Sequence, residues 1–595
     1  MRNIHAKYVS ETYDDQGRLT HFKVNAPEDY NFAYDVIDDI AVHESERPAM
    51  IWCNPEGEEH RFTFADFKEM SDRAANFLAG QGVGHGDRVI VILRRHYSFW
   101  VTCLALHKIG AIAVPATFML KEHDLEYRIK ASGAKALVVT SVGDIAGVVD
   151  EVLSHADEPG REYLKDLKLF LVNAAQFDIP GGAGTAADPE LTGARLSGPE
   201  GVFAAPCERP GWIDFNSGVR AAASDWERRP TKASDGLLLY FTSGTSGEPK
   251  MVIHDHTYSL GHITTAKFWH GVDPEGVHMS VADSGWGKTA WGKFYGQWLM
   301  EACHLVYDFD RFQPTELLGL IGKYGITTFC CPPTMYRMMS LEDVDAYDLS
   351  SVKRWTTAGE ALNPDLFDFW KAHTGKEIFE GFGQTETVVT IANMVGSAPK
   401  AGSMGKPVPF ARLEIHRDDG SRCNPGEAGE ICIECEPRPA GIMKEYFLNP
   451  EKTADVFRGG WYHTGDVAWM DEDGYLWYVG RNDDVIKSSG YRIGPFEIES
   501  VLLQHEAVRE CAVTGVPDPI RGKAVKATVV LMPGFTGSDA LTKELQAWVK
   551  AQTAPYKYPR IVEYVDELPK TFSGKIRRVE IRQNDAENGV ENVEG

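Results

Sequence analysis

The run Tyr240-Phe-Thr-Ser-Gly-Thr-Ser-Gly-Glu-Pro-Lys250 follows directly on an apolar stretch, Gly236–Phe241. Its glycines, Gly244 and Gly247, let a backbone curl until several N–H groups point inward. Thr242, Ser243, Thr245 and Ser246 add hydroxyl donors, and Lys250 adds a mobile positive charge. Together these residues make a cradle for phosphate oxygens. The run is not the Gly-x4-Gly-Lys-Ser/Thr loop, because Glu248 and Pro249 separate Gly247 from Lys250 and Met251 follows. Three later segments carry further reactive groups. Glu380-Gly-Phe-Gly-Gln-Thr-Glu-Thr387 joins an aromatic face to a carboxylate, Tyr462-His-Thr-Gly-Asp466 ends in a second carboxylate, and Pro569-Lys-Thr-Phe-Ser-Gly-Lys575 sets a lysine beside a glycine.

These segments, with Gly480-Arg-Asn-Asp-Asp-Val-Ile-Lys-Ser-Ser-Gly-Tyr-Arg492 between them, resemble in type and order the signature motifs of the adenylate-forming superfamily. That superfamily comprises acyl- and aryl-CoA synthetases, luciferases and adenylation domains. The resemblance covers roughly residues 30–580. It implies a two-step reaction in which a carboxylate attacks the α-phosphate of ATP, pyrophosphate leaves, and the acyl-adenylate passes its acyl group to a thiol such as that of CoA. Adenylation is needed because a carboxylate is a poor electrophile and the mixed anhydride is a good one.

The resemblance assigns roles residue by residue. The 242–247 loop and Lys250 hold phosphates, Phe382 stacks on adenine, and Glu380, Gly381, Gly383 and Gln384 complete the nucleotide wall. Thr385 bonds the α-phosphate or the substrate carboxylate, and Glu386 holds Mg²⁺, a hard ion that takes oxygen ligands. Asp466 accepts the ribose hydroxyls, with Arg481 beside it and Arg492 as a further nucleotide contact. Lys575 reaches between the α-phosphate and the attacking carboxylate. In the superfamily the small C-terminal domain then rotates about a junction residue, which matches Asp483 here. Ser489, Gly490 and Tyr491 would line the pantetheine tunnel, and Arg521, Tyr558 and Arg560 would meet the CoA phosphates.

Tyr491-Arg-Ile-Gly-Pro-Phe-Glu-Ile-Glu499, Pro517-Asp-Pro-Ile-Arg-Gly522 and Thr553-Ala-Pro-Tyr-Lys-Tyr-Pro-Arg560 are most similar to the medium-chain acyl-CoA synthetase branch. Acetate-specific members place a tryptophan immediately before the glutamine of Gln-Thr-Glu; here Gly383 stands there, which predicts a pocket deeper than two carbons. Trp286 is the expected pocket wall. Relatives often carry Gln where Met119 stands, so a CoA contact there is in question. Transfer to a carrier-protein thiol, or use of an aryl or branched acid, remains open at this point. A catalytically dead copy of the fold would have lost Lys250, Glu386 or Lys575, and all three are present.

The elements that must position these residues follow an α/β rhythm. Helical stretches at 64–81, 97–109 and 121–132 alternate with strand-like Arg88–Leu93, Ala111–Val114 and Ala136–Thr140, predicting a doubly wound, mostly parallel sheet. Gly82-x-Gly84-x-Gly86 precedes its strand and reads as a turn rather than a dinucleotide fingerprint. The Gly-, Ala- and Pro-rich stretch 173–234 reads as a long surface insertion with ordered pieces around Trp212 and Trp226. The rhythm returns from 236 to about 407. From Phe410 to Val479 short alternating strands, with Asp419-Gly420 and Asp473-Gly474 as hairpin turns, predict a β-rich subdomain. The expected architecture is a large N-terminal domain, 1–480, of doubly wound α/β subdomains plus that β-rich part. A small mobile α+β lid domain, 481–595, follows and ends in a disordered tail.

Composition bounds the rest. The length suggests about three or four folding units, and 43% hydrophobic with 25% charged residues is ordinary for a globular chain. The net charge of −25 argues against nonspecific nucleic-acid binding and against docking on an anionic membrane. Residues 481–595 hold 16 Lys and Arg against 17 Asp and Glu, leaving −24 on the first 480. A nearly neutral module beside an acidic body lets a polyanion approach the seam between them. No apolar run approaches the ~20 residues of a membrane span, and the N-terminus shows no secretory apolar segment, which predicts a cytoplasmic protein. Monomer and dimer both remain open. Cys432 and Cys435 have C-x-x-C spacing in a strand-like run, where they would face opposite sides and suit chelation badly.

Overall fold

The computed structural model describes residues 2–174, 208–242, 249–488, 491–554, 556–570 and 575–590, and all but the side chain of Arg492 among them. Ser243, Gly244, Thr245, Ser246, Gly247, Ser489 and Gly490 lie outside the described residues, as do most of the 173–234 insertion and the last five residues of the tail.

Two large sheets form the body. In the first, Gly236–Thr242, Ile112–Pro115, Arg88–Ile92, Ala136–Thr140, Lys168–Val172 and Ile213–Asp214 run parallel, and Lys250–Asp255 and Glu445–Tyr446 close one edge antiparallel. In the second, Ile378–Phe382, Arg354–Ala358, Ile326–Cys330, Val277–Ser280, Cys303–Tyr307 and Pro48–Cys53 are parallel neighbours, with antiparallel additions at both edges. Such strands are apolar on both faces because helices cover both. Val89, Ile90, Val91 and Ile92 are all fully buried. The expected helices appear at Phe64–Gly80, Ser98–Ile109 and Glu122–Ser132. The first opens with a reciprocal cap, Thr63 and Asp66 each accepting from the other's backbone N–H, which satisfies two otherwise orphaned donors.

A five-stranded antiparallel sheet (Leu413–His416, Ala428–Glu434, Trp461–Met470, Phe457–Arg458 and Leu476–Arg481) supplies the β-rich part. Both Asp-Gly pairs turn there, with Gly420 and Gly474 at φ of 81° and 83°. Beyond Arg481 come the hairpin of Ile486–Ser488 with Tyr491–Ile493, the strands Val508–Asp518, Gly522–Leu531 and Ile561–Tyr564, and three flanking helices. This unit has its own apolar core around Ile498, Val513 and Leu545. It meets the body where Ser500 Oγ lies 3.0 Å from Asn363 Oδ1. Among the described residues, no helix is long and apolar enough to cross a membrane.

One buried ion network ties the helices to the body. Lys108, wholly buried, donates to Asp38 at 2.8 Å and to Asp72 at 2.5 Å, and Lys68 reaches Asp72 at 2.6 Å. Removing the central cation leaves carboxylates buried without their partner, which costs far more than the pair contributes when intact. Lys108→Met is expected to lower stability by about 3–5 kcal/mol, read as a lower thermal midpoint. An unchanged midpoint would show the network to be dispensable.

Candidate active site

The loops that leave the parallel strands Gly236–Thr242 and Ile378–Phe382 at their carboxyl ends carry reactive groups, as expected where ligands bind at strand carboxyl termini. Thr242 and Lys250 are cross-strand neighbours at the two ends of the hydroxyl-rich loop. Lys250 Nζ sits 5.2 Å from the centre of the Tyr446 ring, and Tyr446 donates its hydroxyl to Glu386 Oε1 at 2.8 Å. Burial holds the Lys250 amine below its ordinary value; Glu386 opposes this, while Lys452 and Arg481 add to it. Several cations therefore crowd one spot in an acidic chain, which is the arrangement a polyphosphate needs.

Asp466 lies at the centre of a second group. It is 4% exposed and accepts from Tyr478 Oη at 3.1 Å, from Arg481 Nη1 at 3.2 Å and from the Gln384 amide. Gln384 also donates to Thr464 O at 2.8 Å and accepts from Tyr462 Oη at 2.7 Å. The carboxylate raises the Arg481 guanidinium above its ordinary value, so Arg481 is a permanent cation here. Phe382 and Tyr478 present their rings to one another at 6.2 Å. Asp483 follows two residues after Arg481, its Oδ1 3.9 Å from Arg481 Nε.

A small apolar cavity, about 30 Å³ of water-accessible space, opens beside Lys288 between Trp269, Trp291, Cys330, Cys331 and Pro332. The two indoles meet edge to face at 6.2 Å, and each lies over a glycine. A Cβ on Gly381 would fall 2.5 Å from Trp269, and one on Gly383 would fall 2.4 Å from Trp291 and 2.5 Å from the Val388 carbonyl. Gly383 therefore does not open the pocket floor as its sequence position suggested: Trp291, from the helix Lys288–Gly292, fills the space its missing side chain leaves. Trp286 is not among the residues that line the cavity. Its turn instead packs on the chain at Ala116–Thr117 through Gly285 and faces Thr385 through Gly287.

Lys288 closes the cavity mouth. Its Nζ donates to the Ala358 carbonyl at 2.6 Å and lies against Gly359, whose φ of 98° and lack of Cβ allow the approach. Burial, with the Lys575 charge adding to it, lowers the Lys288 amine to about 8. Lys575, exposed on the C-terminal unit, is thus close enough to act on the cavity mouth.

Several positions escaped the sequence reading. His254 donates from Nε2 to the Thr385 carbonyl at 2.8 Å while stacking on Tyr258 at 3.7 Å, and burial keeps it neutral with a value of about 4. Its signal was its place four residues after Lys250, on the same face of the strand. The Gly359-Glu360 turn, Trp269, Trp291, Lys288 and Tyr446 were also missed; the strand before the turn, Arg354–Ala358, holds an arginine and two threonines and gives no apolar run to mark it. Glu380 is placed otherwise than a simple nucleotide contact. Its carboxyl is 5% exposed, accepts from Leu362 N–H at 3.3 Å, and is pushed up to about 8 by burial. It braces the Gly359–Leu362 turn as a neutral acid.

The expected CoA contacts find neighbours within the C-terminal unit. Arg521 Nη1 pairs with Asp518 at 3.2 Å, Arg560 lies over Tyr558 at 4.7 Å, and Tyr491, half-exposed, stacks on Tyr556 at 4.0 Å. The backbone of Arg492 pairs with Lys487.

A carboxylate-lined nucleotide cleft beside an apolar cavity, overlooked by a lysine from a separate C-terminal unit, defines an enzyme that adenylates acids. The AMP-binding enzyme family matches residues 37–447, and its C-terminal domain matches 497–575. The chain is 40% identical over 569 residues to the human mitochondrial acyl-coenzyme A synthetase ACSM5, covering 94% of this chain and 91% of the relative. It is 39% identical over 574 residues to human mitochondrial ACSM3, covering 95% and 91%. Among solved structures it resembles the anthranilate CoA ligase AuaEII in complex with anthranoyl-AMP, with TM-score 0.80, 28% identity, and 95% and 99% coverage. The chain belongs to the AMP-binding enzyme family and is an AMP-forming acyl-CoA synthetase, with ATP and CoA as substrates.

The neutral Glu380 gives a pH signature. Between its unfolded value of about 4.5 and its folded value of about 8, the folded chain keeps a proton that the unfolded chain releases. Stability therefore falls as pH rises through this window. Glu380→Gln is expected to remove that component, so that its stability relative to the parent grows from pH 5 to pH 8 in denaturant titrations. Parallel curves would mean that Glu380 is ionised throughout.

Proposed function

We propose that the acid activated here is a saturated carboxylic acid at the short end of the medium-chain range, bound with its first carbons between Trp269 and Trp291. The observation that carries this reading is the cavity itself. Its space amounts to about two water-sized spheres, enough for two or three methylenes, and its exposed lining is mostly apolar, with His270 and Ser280 as polar side chains in the wall. Lys288 borders that mouth, where the carboxylate would lie, and the neighbouring Gly287 faces Thr385.

The residues then divide the work. Lys250 and the loop it closes take the β- and γ-phosphates, Phe382 and Tyr478 flank the adenine, and Asp466 takes the ribose hydroxyls in place of the Gln384 amide. Glu386, with one oxygen bonded to Tyr446, fits Mg²⁺ together with phosphate oxygens, since that ion binds through one or two carboxylates plus substrate phosphates. When bound, Mg²⁺ would offset phosphate charge. Lys575 approaches the α-phosphate and the attacking carboxylate, stabilising charge that develops only in the transition state. Rotation about Asp483 would then withdraw Lys575 and present Tyr491 and its neighbours to CoA, so that one cleft serves both steps. The division into 1–480 and 481–595 is the division between the part that stays and the part that turns.

Two variants test this reading. Lys575→Ala is expected to slow adenylation by about 10²-fold or more while thioester formation from preformed acyl-AMP stays within a few-fold; equal loss of both steps would refute the role. Trp291→Ala is expected to shift the best acid toward longer chains, because it removes the wall that fills the space above Gly383. An unchanged chain-length profile would remove the cavity from the argument.

A further inference from the structure

The small antiparallel sheet holds a group of donor atoms with no part in the chemistry above. Glu430 and Cys432 lie two residues apart on the strand Ala428–Glu434 and leave the same face, and Cys432 pairs directly with His463 on the neighbouring strand. His463 Nδ1 stands 2.9 Å from Glu430 Oε2 and 3.4 Å from Cys432 Sγ. One donor atom from each residue lies within 4.8 Å of the other two. A tetrahedral ion with bonds of about 2.0–2.1 Å to nitrogen and oxygen and about 2.3 Å to sulfur sets neighbouring ligand atoms roughly 3.3–3.6 Å apart. The observed spacing is near those edges before any adjustment.

We propose that Glu430 Oε2, Cys432 Sγ and His463 Nδ1 form a site for a borderline-soft divalent cation of the zinc type, with water as the fourth ligand. A carboxylate, an imidazole and a thiolate together suit such an ion and suit Mg²⁺ poorly, since Mg²⁺ takes oxygen ligands. Binding releases the Cys432 thiol proton to solvent, and the sulfur gives its electron pair to the ion. Arg458 now occupies the approach, with Nη2 3.0 Å from His463 Nδ1 and 3.6 Å from Glu430 Oε2. Its side chain is 56% exposed, so it can swing into solvent when the ion enters. Cys435 takes no part: it lies one residue beyond the strand, and its N–H is committed to the Gly460 carbonyl.

The site has a route to the nucleotide cleft. Glu430 Oε1 accepts from Gly465 N–H at 2.9 Å, and Gly465 directly precedes Asp466. One carboxylate would thus bridge the ion and the loop that carries the ribose acceptor.

Co²⁺ added to the full-length, untagged and nucleotide-free enzyme is the probe, because a thiolate ligand gives it a near-ultraviolet charge-transfer band. One equivalent is expected to produce the band, and Zn²⁺ is expected to displace it. Cys432→Ser, with Cys432→Ala as a second form, should abolish the band, and Cys435→Ser should leave it intact. His463→Gln should weaken binding at least about tenfold, as loss of one ligand does. Arg458→Ala should tighten binding several-fold by removing a competing cation, a response that a purely structural cluster would not give. No band at one equivalent, a band that survives Cys432→Ser, or a band that depends on Cys435 overturns the proposal.

Discussion

The structure turns on a single buried carboxylate. Asp466 gathers Arg481, Tyr478 and Gln384, and these come from two different places: the strand Leu476–Arg481 of the β-rich sheet, which carries both Tyr478 and Arg481, and the loop after the last parallel strand of the second large sheet. An isolated carboxylate could not remain charged at that depth, so its donors are obligatory. Because those donors are themselves site residues, the requirement to satisfy Asp466 fixes the aromatic wall, the Gln-Thr-Glu segment and the junction to the C-terminal unit in one geometry. His254 adds a second fixation from the first sheet by bonding the Thr385 carbonyl.

The acidic chain binds polyanions by concentrating its cations. Lys250 and Arg481 stand at the nucleotide cleft, and Lys288 stands at the cavity mouth, within reach of the Lys575 charge from the C-terminal unit. Burial first, and the nearby Lys575 charge second, lower the Lys288 amine. An anion bound beside Lys288 would offset both effects, and a carboxylate beside an α-phosphate supplies one. The placement of Lys575 on a separate small unit means that this charge is available only when that unit is in place.

The fold was largely legible in the sequence because its signals are local. The apolar periodicity of Phe64–Gly80 and the continuous apolar runs of Arg88–Ile92 and Ala136–Thr140 depend on burial of each element against a covering layer. The Asp-Gly turns depend only on their own backbone. The motifs are local in the same way: the 242–250 run follows the strand Gly236–Thr242, 384–387 follows Ile378–Phe382, and 462–466 lies within Trp461–Met470. What the sequence did not show was contact across elements. Gly383 read as open space because the indole of Trp291 that fills it comes from a helix some ninety residues earlier. Trp286 was read as a pocket wall, but it does not line the small cavity, because sequence does not show which way a turn faces. Cys432 was weighed against Cys435, its neighbour in sequence, whereas its partners in the sheet are Glu430 and His463. Glu380 looked like a nucleotide contact until its burial beneath the Gly359–Leu362 turn was visible.

The most direct test of the central claim is pyrophosphate release from MgATP across straight-chain acids of two to twelve carbons and benzoate, each with and without CoA. The account expects sustained release only when CoA is present, with a maximum at the short end of the medium-chain range and little release with the longest. Release that continues without CoA, or that favours only the longest acids or benzoate, would contradict it.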